Sequence, residues 1–277
     1  MDDTATAPRA TAFEARYGAA PASTAGPWND VIGTLLLHRS VRAYTPDALP
    51  EGTLETLVAA AQSAATSSNM QTWSVIAVTD PATKAALATI ASGQKHIEQC
   101  PLFLVWVADL SRLERVGHAA GQTLEGLPFL ETFLVAALDA GIAAQNAAVA
   151  AESLGLATVY IGALRNDVEK VAALLGLPAG AFGVMGLCVG HADESVSALV
   201  KPRLPQSSIL HRERYDSASE TADVATYDRL LETFSAAAER SAYRWTDRVV
   251  SRMGNITSLS GRDKLRDALV RLGFPLR

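Results

Sequence analysis

Cysteine, excess positive charge and catalytic signatures are all scarce in this chain, and each scarcity removes a class of function. Two cysteines in 277 residues, Cys100 and Cys188, show no CxxC spacing, which argues against both a disulfide framework and a zinc knuckle. The five histidines, His38, His96, His118, His191 and His211, lie at no paired ligand spacing, so no metal site is expected. Lys and Arg number 24 against 29 Asp and Glu, a net charge of −5, and no basic stripe is long enough to track nucleic-acid phosphates. GxSxG, HExxH, Walker and GxGxxG patterns are missing, which leaves hydrolase and NTPase readings unsupported and argues against a Rossmann crevice. The longest apolar stretch, Phe129 to Ala151, is interrupted by Glu131, Asp139, Gln145 and Asn146, so no membrane partner is expected. Residues 1–28 are rich in Ala, Thr and Pro without the pattern of a secretory signal, and read as a flexible tail. The expectation is a soluble protein of a reducing cytoplasm, acting on small molecules.

What is present is enough apolar material, 49% of residues, to bury a full core. Val31 to Leu37 reads as a short helix, and Thr53 as the cap of a second, Leu54 to Ala65. Trp73 to Val78 reads as a strand, with Asp80-Pro81 starting a helix through Ile90. Leu102 to Val107 and Phe182 to Val189 read as buried strands, and Thr158 to Ile161 as another. Phe129 to Leu154 is a long Ala-rich helix capped by Gly155; its small residues suit either a buried core helix or a dimer seam. Asn166 and Glu169 resemble a capping box for a helix to Leu175. Asp223 to Ala242 and Gly261 to Leu272 read as amphipathic helices of a terminal extension. Residues 29–277 are taken as one domain.

Three polar clusters stand beside these apolar elements: His38-Arg39-Ser40-Val41-Arg42, Ser67-Ser68-Asn69-Met70-Gln71, and Lys201-Pro202-Arg203-Leu204-Pro205. Each gathers hydrogen-bond donors or fixed positive charge, as binding an anionic cofactor requires. Imidazole, guanidinium and hydroxyl donors together suit a phosphate. Taken singly, each cluster is more simply read as a solvated loop with ordinary surface charges; taken together, in their order and setting, the three are much harder to read that way.

The runs HRSVRAYT (38–45), SSNMQTW (67–73), SGQKH (92–96), AQNAAVAAESLGL (144–156), YIGALRN (160–166), GLCVG (186–190) and KPRLP (201–205) resemble the nitroreductase superfamily. The resemblance is to its major, group A type of oxygen-insensitive NADPH nitroreductases and flavin reductases, and it spans His38 to Phe274. It implies an α+β fold, a mostly antiparallel central sheet flanked by helices, and an FMN-binding homodimer. By resemblance, His38, Arg39, Ser40 and Arg42 hold FMN, with Arg42 near the N1/C2 edge of the ring. Ser67, Ser68, Gln71 and Gln94 contribute ring or ribityl contacts, Tyr160, Ile161, Gly162 and Ala163 cover a ring edge, and Lys201 and Arg203 reach the phosphate. Ala163 stands where family patterns often have a second glycine.

The activity implied is ping-pong hydride transfer from NADPH through FMN to nitroaromatics, quinones or flavins, with flavin N5 the reactive centre and no catalytic side chain required. Arg262 aligns with an arginine placed over the family's pocket. Arg240 and Arg244, beside Trp245, offer charge for the NADPH 2′-phosphate, although the matching positions carry Ala238 and Ser241. The alternative is a flavin storage or carrier protein, or a specialised flavin enzyme on the same scaffold.

Overall fold

From Leu102 to Val107 there is no polar side chain, so the strand this run forms has to be covered on both faces. A computed structural model describes residues 9–19, 26–239 and 241–277. In chain order the elements are α1 (Arg9–Tyr17), α2 (Asp30–Leu37), α3 (Thr53–Gln62), β1 (Trp73–Val78), α4 (Pro81–Ile90), α5 (His96–Gln99), β2 (Leu102–Asp109), α6 (Ser111–Ala119), α7 (Leu130–Ser153), β3 (Ala157–Ile161), α8 (Val168–Leu175), β4 (Ala181–Gly190), α9 (Glu220–Ala238), α10 (Trp245–Met253) and α11 (Leu265–Arg271). The chain divides into two compact units, Met1–Ser40 with Glu194–Ser258, and Val41–Asp193 with Leu259–Arg277.

The second unit holds the sheet, ordered β1-β2-β4-β3, and every pairing is antiparallel. All eight residues of β2 are buried. Leu102, Leu104 and Trp106, alternating along the strand, pack with Leu187 and Val189 against an alanine face of α7 formed by Ala143, Ala144, Ala147, Ala148 and Ala151, with Leu57 and Ala61 of α3 completing the cluster. A second cluster joins Ala136 and Ala140 to Phe182, Leu269 and Phe274, where the rings of Phe133 and Phe274 meet edge-on at 5.3 Å.

By length and composition α7 is apolar enough to cross a membrane. Seven of its alanines, at 136, 140, 143, 144, 147, 148 and 151, and Asp139 are nonetheless buried within the unit, while Leu130, Leu134, Leu138 and Ile142, spaced four apart, are exposed. The helix is therefore a core helix on one face and presents an apolar stripe on the other.

Several boundaries differ from the sequence-based expectation. Thr53 does not cap α3: it is the first helical residue, its hydroxyl donates to the Pro50 carbonyl, and Gly52 in the left-handed region is the cap. Asp167, not Asn166, caps α8 by accepting from the Lys170 amide, because the Asn166 side chain is engaged elsewhere. The helix expected from Asp223 to Ala242 ends at Ala238, where Ser235 Oγ accepts from Tyr243 N and Asp228 binds the Thr246 amide and hydroxyl, turning the chain into α10. The segment read as a flexible tail contains α1, which is held through Ala12 and Arg16, both buried. Four helices, α1, α5, α6 and α10, were not foreseen.

One close approach in the sheet has no room for a side chain. A Cβ on Gly186 would lie 2.3 Å from Phe103 Cζ and 2.6 Å from Cε2, and Phe103 is fully buried. Gly186→Ala is expected to lower stability in urea unfolding by about 1–3 kcal/mol, the usual range for overpacking a core. Adding Phe103→Leu to that variant is expected to recover part of the loss.

Candidate functional site

The polar clusters singled out in the sequence are distributed over both units. In the first unit, α2 is capped at its start by Asn29, whose side chain accepts from Ile32 N, and it ends by delivering half-buried His38 followed by exposed Arg39 and Ser40. Lys201 and Arg203 belong to the same unit. Two of these segments are tied together by Arg16 of α1, which is 5% exposed. Its guanidinium donates to the carbonyls of Leu36 (2.8 and 3.1 Å), His38 (2.6 Å) and Lys201 (2.6 Å), and its own carbonyl accepts from Arg203 N at 2.9 Å.

Lys201 forms an ion pair with Glu239 and donates to Tyr243 Oη at 3.0 Å. Burial pushes its pKa down, but the Glu239 and Tyr243 contacts outweigh that and raise it. Burial likewise pushes Glu239 up, and Lys201 reverses the effect so that its carboxyl stays below the usual range. The pair is thus charged on both sides. Arg244 is exposed and forms two 3.0 Å bonds to Asp247. Arg240 lies outside the described residues.

In the second unit, Ser67, Ser68 and Gln71 lie on a loop between α3 and β1 whose backbone is unusual. Ser68, Asn69 and Gln71 all have positive φ, at 48°, 56° and 52°, a region that non-glycine residues rarely occupy. The loop is fixed from below by Asp139, a carboxylate of α7 that is 4% exposed. Its Oδ2 accepts from the Thr66 hydroxyl and from Thr72 Oγ1 at 2.9 Å, and its Oδ1 accepts from Ser67 N at 3.2 Å. The Thr66 hydroxyl in turn accepts from Gln71 N at 3.0 Å. Ser67, Ser68 and Gln71 are left exposed above this anchor.

Arg42, also in this unit, is exposed, and its charge reaches His96. Burial first, and then Arg42, lowers the His96 pKa, and His96 Nε2 is buried with no hydrogen-bond partner. Gln94 sits just before α5, after Ser92, a further residue with positive φ. Tyr160 and Ile161 end β3, and Gly162 and Ala163 begin the short 3-10 turn that follows. Tyr160 Oη bonds Gln145 Oε1 at 3.3 Å, and burial raises its pKa well above the ordinary phenol value. The backbone at Gly162 is approached by Arg165, 3.1 Å from where a Cβ would stand. Ala163, by contrast, is buried with its methyl accommodated.

Asn166 joins two of the foreseen segments. Its amide donates to Ile90 O (3.2 Å) and Ser92 Oγ (3.1 Å), and its oxygen accepts from Arg262 Nε at 3.0 Å. The loop carrying Gln94 and the segment carrying Arg262 are therefore held by one side chain. Asn166, Asp139 and Arg16 were all missed as site residues by sequence reasoning. Asp139 left one signal, an acid inside an apolar helix; Arg16 left none. Among the described residues no group of three His, Cys, Asp or Glu side chains is placed to hold a metal.

Comparisons with known proteins agree over both units. The Nitroreductase family model matches residues 36–191, and the model for the Nitroreductase family C-terminal domain matches residues 201–277. The chain is 35% identical over 253 residues to FMN reductase (NADPH) of Bacillus subtilis strain 168, covering 89% of this chain and 98% of that protein. It is 36% identical over 220 residues to oxygen-insensitive NADPH nitroreductase of Salmonella typhimurium strain LT2, covering 79% and 88%. The solved structure of B. megaterium NfrA2 superimposes with a TM-score of 0.84 at 36% identity, over 90% of this chain and 100% of that one.

The anchoring role of Asp139 has a local signature. Asp139→Ala leaves two hydroxyls and two amides without this acceptor, which costs about 1–3 kcal/mol for each buried group left unsatisfied. Hydrogen exchange at residues 66–72 is expected to accelerate strongly in this variant while β2 and β4 keep most of their protection. Uniform loss of protection across the sheet would instead make Asp139 a global core residue.

Proposed function

The chain is a member of the nitroreductase family, and on that premise we propose that it is an FMN-dependent oxidoreductase that uses NADPH to reduce nitroaromatics, quinones or flavins by a ping-pong route. The observation that carries this reading is the extent of the likeness, which takes in 98% of a protein named FMN reductase (NADPH). A flavin-storage role draws no support from relatives named as reductases.

The donor sets fit FMN. His38, Arg39, Ser40, Lys201 and Arg203 combine imidazole, guanidinium, hydroxyl and ammonium donors of the first unit, a set matched to a phosphate dianion. Binding phosphate through Lys201 entails sharing or releasing Glu239. In the second unit, Ser67, Ser68, Gln71 and Gln94 offer neutral donors suited to ribityl hydroxyls and ring heteroatoms. Arg42 supplies positive charge for the N1/C2 edge, and Tyr160, Ile161, Gly162 and Ala163 supply a largely apolar ring contact in which Gly162 permits close backbone approach.

When bound, FMN supplies the two-electron chemistry, accepting hydride from reduced nicotinamide and passing electrons to the acceptor. The protein's part is to bind and orient. Asp139 and Asn166 keep the donor-bearing loops in place, and Arg262 holds an anionic or nitro group of the acceptor. Arg240 and Arg244 are proposed to meet the 2′-phosphate of NADPH; Arg244 would leave Asp247 to do so. No side chain is assigned as an essential acid or base.

The assembly proposed is a homodimer, with the exposed stripe Leu130, Leu134, Leu138 and Ile142 of α7 as part of its seam. Such a stripe is unfavourable in water. Leu138→Arg is expected to shift the protein from dimer to monomer in light scattering; an unchanged dimer places the seam elsewhere.

The central test is the visible spectrum during anaerobic addition of NADPH and, separately, NADH. Rapid loss of an oxidised-flavin band with NADPH, and its return on adding a nitroaromatic or quinone, is the expected result. A band that neither nicotinamide bleaches overturns the reductase reading, and no band even after FMN is added overturns the cofactor assignment.

A further inference from the structure

α1 lies ahead of residue 36, where the family match begins, and 90% of this chain suffices to span all of B. megaterium NfrA2. Yet α1 is built into the first unit. Ala12 is fully buried, the ring of Phe13 lies 6.2 Å from that of Trp28, and a Cβ on Gly18 would fall 2.7 Å from Leu230. From this seat Arg16 bonds the carbonyls of Leu36, His38 and Lys201, and the Arg16 carbonyl receives the amide of Arg203.

A buried guanidinium that satisfies backbone carbonyls from two segments 160 or so residues apart fixes their relative register, because its donors leave a rigid planar fork at set angles. The two segments are those bearing His38, Arg39 and Ser40 on one side and Lys201 and Arg203 on the other. The acceptors at Leu36, His38 and Lys201 are all backbone carbonyls.

We propose that Arg16 is a positioning residue for phosphate recognition, and that α1 braces the His38–Ser40 and Lys201–Arg203 segments into a preformed phosphate site; this rests on the reading that those segments bind the FMN phosphate. Arg16 itself does not touch the phosphate. It acts by holding the backbone from which the phosphate donors project, so that their order is established before the ligand arrives. Its buried positive charge also adds to the field favouring an anion there.

The experiment compares FMN with riboflavin, which carries the same ring and ribityl chain without the phosphate. Affinities of the flavin-free full chain for both are measured by fluorescence quenching in wild type, Arg16→Gln, Arg16→Lys and a double variant, Lys201→Ala with Arg203→Ala. Arg16→Gln is expected to lower the FMN/riboflavin affinity ratio by about tenfold, the low end of what losing an outer positioning partner costs in metal sites. Arg16→Lys, which keeps the charge but not the fork, is expected to recover only part of it. The double variant is expected to lose most of the ratio. A merely structural role for Arg16 weakens both flavins together and leaves the ratio alone, and that result overturns the proposal. If Arg16→Gln does not fold, Arg16→Lys decides: an unchanged ratio overturns the proposal. A ratio that survives in the double variant as well refutes the phosphate-site reading itself, whereas a ratio lost only there leaves that reading standing and removes Arg16 from it.

Discussion

The close approach of α7 to the sheet is the constraint on which the second unit depends. Alanines at 143, 144, 147, 148 and 151 bring the helix backbone near Leu102, Leu104, Trp106, Leu187 and Val189. Larger residues at those positions would force helix and sheet apart, because close-packed interiors accommodate added volume poorly. Two consequences follow from that proximity. The large side chains packed against α7 in this cluster come from the strands and from α3, and the single acid on the buried face of α7 reaches the loop that enters β1.

Asp139 and Arg16 solve similar problems with opposite charges. Each is a buried ionic side chain whose polar atoms meet backbone groups and hydroxyls. Desolvating an ion without such partners is expensive. With them, removal of the ion becomes the costly change, since several backbone groups lose their partners at once. Asp139 gathers donors from one loop; Arg16 gathers acceptors from two distant segments. Lys84 follows the same pattern, donating from a buried position to the carbonyls of Glu98 and Cys100 at the end of α5.

Much of the fold was legible because apolar runs and turn residues leave strong local signals. The strand at Trp73–Val78, the strand read as Leu102 to Val107, which runs on to Asp109, the helix start at Asp80-Pro81 and the stop after α7 at Gly155 were all readable from neighbouring residues alone. The capping of α8 was misplaced by one residue because Asn166 and Asp167 are both good caps, and only the distant demands of Ile90, Ser92 and Arg262 decide between them. α1 escaped notice since Arg16, in an Ala-rich stretch, looks solvated until its three carbonyl partners, up to 185 residues away, are placed around it. The polar clusters of the candidate site were visible as residue types and order; the side chains that hold them were not, since those act through tertiary bonds with no sequence pattern.

The loop from Ser67 to Gln71 shows how a buried carboxylate keeps an unusual backbone in place. Three non-glycine residues in the left-handed region cost on the order of 1–3 kcal/mol each when strongly strained, and a loop free to relax would leave that region. It is kept there because Thr66, Ser67 and Thr72 are bonded to Asp139, and Asp139 is carried by a helix locked onto the sheet. Burial of the alanine face therefore underwrites the strain, and the strained backbone turns Ser67, Ser68 and Gln71 outward. On the proposal that these residues meet FMN, the preset conformation spares the loop from ordering its donors at the moment of binding.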